Sequence, residues 1–153
     1  MIKRFHALYV GQIELDNIGV DGTPANDRRY PNERLSEVFW AARDVARLMD
    51  ELGYYCFWTA EHQFQREGYE CFPNLIQIGL WLATPTRRLK FGCAFNILPM
   101  WHPIRLAEDY AMADIVTDGR VIMGVGRGYH TREVETFGAP LLATFSKRGS
   151  ISC

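Results

Sequence analysis

A carboxylate and an imidazole stand at the end of an aromatic, strand-forming run in this sequence. Residues 57–64 read FWTAEHQF, so the polar pair Glu61 and His62 follows directly after the apolar run. A strand of this type buries its body and delivers its last polar residues to a rim. In α/β folds the carboxyl ends of the strands are where ligands bind. Because an imidazole exchanges protons near neutral pH, His62 is the candidate catalytic residue.

A glycine-rich turn supplies the second candidate. Residues 124–128 read GVGRG, between a strand-like run and a helical pattern. Gly126 and Gly128 would let backbone amides approach an anion, the helix N-terminus would add positive potential, and Arg127 can bind a phosphate in bidentate fashion. The turn is not a P-loop, and Tyr129 stands where G-x-G-x-x-G requires its last glycine. The alternative interpretation is that these glycines only permit a tight turn between strand and helix.

Histidine and cysteine spacing predicts no protein-held metal. The four histidines and four cysteines form no H-x-x-x-H, H-E-x-x-H or C-x-x-C pattern. Cys56 and Cys93 fall inside predicted strands, where we expect them to behave as small buried hydrophobic residues. This use of cysteine is typical of a reducing compartment, so we expect a cytoplasmic protein.

Charge and hydropathy exclude two classes of partner. The formal net charge is -1, and no basic run is present, which argues against a nucleic-acid partner. The longest apolar run, residues 75–83, contains Gln77 and is too short to span a bilayer, which argues against a membrane partner.

These candidate residues sit in a repeated strand–helix pattern. Loops rich in Gly, Pro and polar residues are predicted at 11–32 and 61–73. Strands are predicted at 5–10, 55–60, 89–97 and 121–125, and helices at 32–52, 74–83, 104–116 and from 131 onwards. The last three strands start 34 and 32 residues apart, which suits a barrel unit of roughly 31 residues or a doubly wound sheet.

The predicted helices carry identifiable ends and faces. Asn32 and Thr131 are expected N-terminal caps, Pro73 and Asn74 are expected to open the second helix, and Gly53 is an expected stop. The inward stripe of the third helix is predicted to comprise Leu106, Ala107, Tyr110, Ala111, Asp114 and Ile115. The second helix is apolar almost all round, so we expect cover on more than one side, from a partner chain or from a thick protein layer. A homo-oligomer is therefore expected.

Four segments of the sequence, in order, resemble the bacterial luciferase-like flavin monooxygenases. They are FWTAEHQF at 57–64, TRRLKFG at 86–92, LP with HPIRLAED at 98–99 and 102–109, and DGR through GVGRG at 118–128. The resemblance covers about residues 3–140. It implies a partial TIM-type (β/α) barrel of about four parallel β/α units, not closed by this chain alone. Residues 1–142 would form the N-terminal half of such a barrel, and residues 143–153 an irregular tail.

The resemblance also implies a chemistry. Such proteins bind FMN at the C-terminal rim of the barrel and use reduced FMN and molecular oxygen to oxidise a small organic substrate. A flavin reductase is then the expected supplier of reduced cofactor. Two alternatives on the same fold stay open: a deazaflavin-dependent dehydrogenase, and a truncated, non-catalytic remnant that binds flavin or self-associates. A nicotinamide-binding sheet ranks last, because no glycine fingerprint follows the first strand.

Individual positions inherit roles from this resemblance. His62 matches the catalytic histidine, a proton donor and acceptor beside the flavin, and Arg127 matches the residue that holds the FMN phosphate. The backbone from Gly126 through Gly128 to Tyr129 matches the flavin-contacting turn.

Three further positions complete the expected cofactor contacts. Glu61 is expected beside the flavin. Ala94 and Phe95 match the end of the third strand, where some relatives carry a non-proline cis peptide under the ring. Two positions depart from the family. Gln63 replaces a frequent second histidine, and Gly126 stands where the luciferase itself has a reactive cysteine, so light emission is not expected.

Overall fold

The computed structural model describes residues 2–13, 30–64 and 70–139. Most of the predicted loop at 11–32, residues 65–69 of the predicted loop at 61–73, and the whole of the predicted tail at 143–153 lie outside these residues. The strands are β1 (His6–Tyr9), β2 (Cys56–Thr59), β3 (Lys90–Cys93), β4 (Asn96–Ile97), β5 (Val121–Ile122) and β6 (Val125–Gly126). The helices are α1 (Asn32–Glu51), α2 (Leu75–Ala83), α3 (Pro103–Thr117) and α4 (Thr131–Thr136), with a 3₁₀ turn at Leu98–Met100.

Four parallel strands form the main sheet in the order β1-β2-β3-β5. His6 pairs with Cys56, Cys56 with Lys90, and Phe91 with Val121. Because each parallel connection contains a helix, the described chain consists of four successive β/α units. Within the described residues β1 and β5 each pair with one strand, so the sheet stays open. The predicted fold class, a partial (β/α) barrel, is confirmed.

The third and fourth predicted strands are each split in two. Residues 89–97 form β3 and β4 rather than one strand, and 121–125 form β5 with the start of β6. The ladder breaks where the Ala94–Phe95 peptide bond is cis and Gly124 packs against the Cys93 carbonyl. A Cβ atom on Gly124 would lie 1.8 Å from that oxygen, so only glycine fits. Beyond the break, β4 and β6 resume parallel pairing as a separate ladder.

Helices α1, α2 and α3 cover one face of the sheet and build the core there. The main cluster of buried apolar side chains includes Val38 of α1, Phe57 of β2, Leu82 of α2, Phe91 of β3 and Leu106 of α3. The apolar composition of α2 predicts that the helix is covered on more than one side. This is confirmed within this chain, because six of the nine residues of α2 are buried. No helix in the described part of the chain has the length and apolar character needed to cross a membrane.

Helix ends agree only partly with the sequence. The Asn74 side chain accepts a hydrogen bond from the Gln77 amide at 2.9 Å, as an N-cap should. Gly53 has φ +77° immediately after Leu52, the C-cap of α1, which confirms it as a stop. Asn32 and Thr131 are instead the first helical residues, and neither helix has a capping side-chain hydrogen bond.

The inward face of α3 is also shifted from the prediction. Leu106 and Tyr110 are buried as expected, whereas Ile115 is 79% exposed. The other three predicted positions are exposed too: Ala107, Ala111 and Asp114. Ala113 and Thr117 are buried instead. The reason is that α3 packs mainly against α2 and β5, so the apolar side chains on its other side stay exposed: Ile104, Met112, Ile115 and Val116.

Candidate functional site

The loop after β2 meets the turn before α4 at the C-terminal rim of the sheet. The His62 ring centroid lies 6.4 Å from that of Tyr129 and 4.8 Å from that of His130. The two elements come together although β3 separates their strands in the sheet. The rim therefore places the imidazole of His62 next to the segment that follows Arg127, as the two sequence motifs predict.

Two carboxylates hold the His62 ring from opposite sides. Nδ1 lies 3.1 Å from Oε1 of Glu133, and Nε2 lies 2.9 Å from Oε2 of Glu70. The same Glu133 oxygen accepts the backbone N–H of Gln63 at 2.7 Å. His62, Glu70 and Glu133 are all buried. The ring orientation is therefore fixed by a carboxylate contact at each of its two nitrogens.

Sequence reasoning missed both carboxylates. Glu70 falls in a predicted loop, and Glu133 lies 71 residues after His62, on a six-residue helix. No spacing motif joins these positions. Glu70 lies in the same loop as His62, eight residues further on, and Glu133 reaches the imidazole only when the fourth β/α unit folds back onto the second. The only sequence signal is that the two acidic residues flank segments already singled out.

Glu61 lies in the protein interior behind the rim. Its two carboxylate oxygens accept hydrogen bonds of 2.8 to 3.2 Å from four groups: the side chains of Gln63, Asn96 and Trp101 and the backbone N–H of Ile97. Burial raises the pKa of Glu61, although these hydrogen bonds act to lower it. Glu61 thus joins the β2 loop to the β4 segment, while its expected contact with a cofactor stays a prediction.

A polar chain extends this network toward α3. The hydroxyl of Tyr110 donates to Oδ1 of Asn96 at 2.6 Å, and Nδ2 of Asn96 donates to Oε2 of Glu61 at 2.8 Å. Burial raises the pKa of Tyr110, so the hydroxyl stays a donor throughout the physiological range. Since each buried group has a partner, the network stabilises one arrangement of the rim.

The alternating glycines face the protein, while the residues between them face outward. A Cβ atom on Gly126 would lie 3.1 Å from Phe95 Cβ, and one on Gly128, whose φ is +80°, would lie 2.5 Å from Ile97 Cγ2. Arg127 and Tyr129 are exposed. The glycines are therefore needed for close packing of the turn, and the residues that alternate with them are the ones presented at the surface of the rim.

The residues at this rim have the chemical properties that a flavin-binding site needs. Phe95 and Tyr129 expose 53% and 69% of their surface, which offers apolar faces to a planar ring. The exposed Arg127 lies on the same turn and suits a phosphate. Within the described chain, His62, Glu70 and His130 also bring three metal-ligating atoms within 4.8 Å of one another.

Comparison with known proteins identifies the family. The model of the luciferase-like monooxygenase family matches residues 20–149, which is most of the chain. The chain belongs to this family. The oxygenase component of a flavin-dependent trigonelline monooxygenase from Acinetobacter baylyi is 33% identical over 92 residues, covering 60% of this chain and 25% of the relative. The alkanal monooxygenase alpha chain of Photorhabdus laumondii is 29% identical, covering 72% of this chain and 30% of the relative.

A solved structure of the family shows the same fold. The oxygenating constituent of 3,6-diketocamphane monooxygenase from Pseudomonas putida, in complex with FMN, superposes with a TM-score of 0.70 at 21% identity. The superposition covers 88% of this chain and 32% of that one. The chain thus spans about a third or less of the length of these three proteins.

Proposed function

We propose that the protein acts as a flavin-dependent monooxygenase that uses reduced FMN and molecular oxygen to oxidise a small organic substrate. The family match supports a flavin oxidoreductase, and the names of its relatives support oxygenase chemistry. One relative is the oxygenase component of its system, which supports a separate flavin reductase as the supplier of reduced cofactor.

The observation that carries this proposal is the meeting of His62 with the Arg127 turn. An imidazole, an exposed guanidinium and two exposed aromatic faces occur together at the C-terminal rim. In this proposal Arg127 binds the FMN phosphate, and the backbone at Gly126 and Gly128 contacts the cofactor. Tyr129 borders the flavin, while Ala94 and Phe95 lie under its ring.

The bound flavin would supply the electrons and the site of oxygen activation, which no protein side chain can provide. His62 would donate or accept the proton that accompanies oxidation of the substrate. Glu133 and Glu70 hold the imidazole in one orientation, so that proton transfer needs no reorganisation of the ring. The apolar side chains of the rim would exclude water from the reacting atoms.

An FMN titration of the protein tests this proposal. We expect saturable quenching of flavin fluorescence, and an Arg127→Ala variant should bind FMN at least about tenfold more weakly, because a charge-assisted phosphate contact is worth about 1.5–3 kcal/mol. Arg105→Ala is the matched control, since Arg105 is exposed on α3 and pairs with Glu108. The proposal is wrong if folded protein shows no FMN binding, or if both arginine variants bind FMN as the unchanged protein does. A parallel titration with a deazaflavin tests the alternative cofactor.

A further inference from the structure

We propose that His62, Glu70 and His130 form a binding site for a divalent transition-metal ion such as Zn²⁺. Their ligating atoms all lie within 4.8 Å of one another, and they come from two separate loops. Two imidazoles and one carboxylate are a donor set that Zn²⁺ and related borderline ions favour. The site goes beyond the proposed flavin chemistry, although it shares His62 with it.

The contact between His62 and Glu70 indicates a place for a cation. Nε2 and Oε2 lie 2.9 Å apart, and both side chains are buried. A ring nitrogen and a carboxylate oxygen repel at this distance unless a proton or another positive charge lies between them. A metal bound at about 2.0–2.2 Å from each atom would separate them to about 3.3 Å, which needs a shift of only a few tenths of an ångström.

The third ligand comes from His130, whose ligating nitrogen lies within 4.8 Å of the other two and must move by up to about 1.5 Å to reach the donor spacing of a tetrahedral ion. His130 immediately precedes α4, and its ring meets that of His62 edge to face, with centroids 4.8 Å apart. Its carbonyl accepts the Val134 amide at 3.0 Å, so its backbone is held in place. His130 is half-buried, which leaves the outer side of the site open for water as a further ligand.

Glu133 completes the arrangement from behind. Its carboxylate lies 3.1 Å from Nδ1 of His62, on the opposite side of the ring from Glu70. Metal-ligating histidines commonly donate their other ring N–H to a carboxylate in this way, which orients the ring and strengthens its donor nitrogen. A metal at Nε2 would also block proton transfer at that atom. Metal binding and the proposed proton role of His62 are therefore mutually exclusive.

Calorimetric titration of chelator-treated protein with Zn²⁺ tests the site. All samples carry Cys153→Ser, so that a thiol at the last residue cannot compete for the ion. We expect one bound ion per chain, with binding at least about tenfold weaker in His130→Ala and in the isosteric Glu70→Gln. His102→Ala is the matched control, because His102 is exposed and lies outside the cluster; it should bind Zn²⁺ as the parent does.

The outcomes separate this proposal from the flavin proposal. Absence of stoichiometric binding by folded protein overturns the metal site, and so does equal affinity in the parent, His130→Ala and Glu70→Gln. If a variant does not fold, imidazole NMR of the parent protein decides: Zn²⁺ must shift the ring resonances of His62 and His130 and leave those of His102 in place. FMN binding to the same zinc-free sample is measured independently, so either proposal can fail alone.

Discussion

Nδ1 of His62 lies 3.1 Å from Oε1 of Glu133, and this contact ties the loop after β2 to the last described helix. Helix α4 has only six residues, too few to be stable by itself, and its buried residues are Glu133 and Val134. The Glu133 contact therefore positions the imidazole and also anchors α4 to the rim.

Replacing Glu133 should destabilise the protein, and the loss should be larger when the new side chain has no hydrogen-bond acceptor. Glu133→Ala leaves the buried N–H groups of Gln63 and His62 without this acceptor, so the free energy of unfolding should fall by about 1–3 kcal/mol. Glu133→Gln keeps an acceptor oxygen and should cost less. Urea unfolding measures both changes. Glu135→Ala, on the exposed side of the same helix, should stay within about 0.5 kcal/mol of the parent. Equal stability of Glu133→Ala and Glu135→Ala would contradict the anchoring role.

The break between β3 and β4 predicts a contrast between two glycine-to-alanine substitutions. Gly124→Ala places a methyl group 1.8 Å from the Cys93 carbonyl, so the backbone must move; we expect a loss of at least about 2 kcal/mol. Gly79→Ala, inside α2, meets only Phe91 at 3.4 Å and should be neutral or stabilising by up to about 1 kcal/mol. Thermal unfolding of the two variants distinguishes them. Similar losses in both would show that the close approach at Gly124 is unimportant.

The spacing of hydrophobic residues and the turn residues were sufficient to predict the four β/α units, because helices, strands and turns are determined largely by residues close together in the sequence. The same pattern correctly placed His62 and the Arg127 turn at one end of the sheet, since carboxyl ends of parallel strands share an edge. The partners of His62 were not predictable in this way. Glu133 reaches the imidazole through folding of a separate unit, and Glu70 reaches it through the course of a loop that has no spacing signal. The split at Gly124 depends on the backbone of a neighbouring strand.

The contribution of Asp50 to the free energy of unfolding should depend on pH only in acidic solution. Its carboxylate accepts the backbone N–H groups of Arg87, Arg88 and Leu89 at 3.0, 2.8 and 2.7 Å. Burial acts to raise the pKa of Asp50, but these hydrogen bonds outweigh it and hold the pKa below its ordinary value of 3.8. Because the folded-state pKa is lowered, the stabilisation is complete above the unfolded-state pKa and is lost as the pH falls through the folded-state pKa.

The stability of Asp50→Asn measures this contribution. Near neutral pH the variant should lose on the order of 1 kcal/mol, because solvent screens this partly exposed group. The difference from the parent should shrink below about pH 4 as the parent carboxylate becomes protonated. Asp44→Asn is the control, since Asp44 lies on the exposed surface of α1, 3.9 Å from Arg47. A difference that stays constant into strong acid would show that the charge of Asp50 contributes nothing.

The buried thiols should resist alkylation in the folded protein. Burial raises the pKa of Cys56 to about 12 and that of Cys93 to about 11, so the reactive thiolate is almost absent near neutral pH. Cys71 also has a pKa of about 11 through burial, but it is only half-buried. In a Cys153→Ser background, brief iodoacetamide treatment followed by peptide mass spectrometry should label Cys71 slowly and the other two more slowly still. Concentrated urea should make all three react alike. Rapid labelling of Cys56 or Cys93 in folded protein would mean that the strands carrying them are not buried as described.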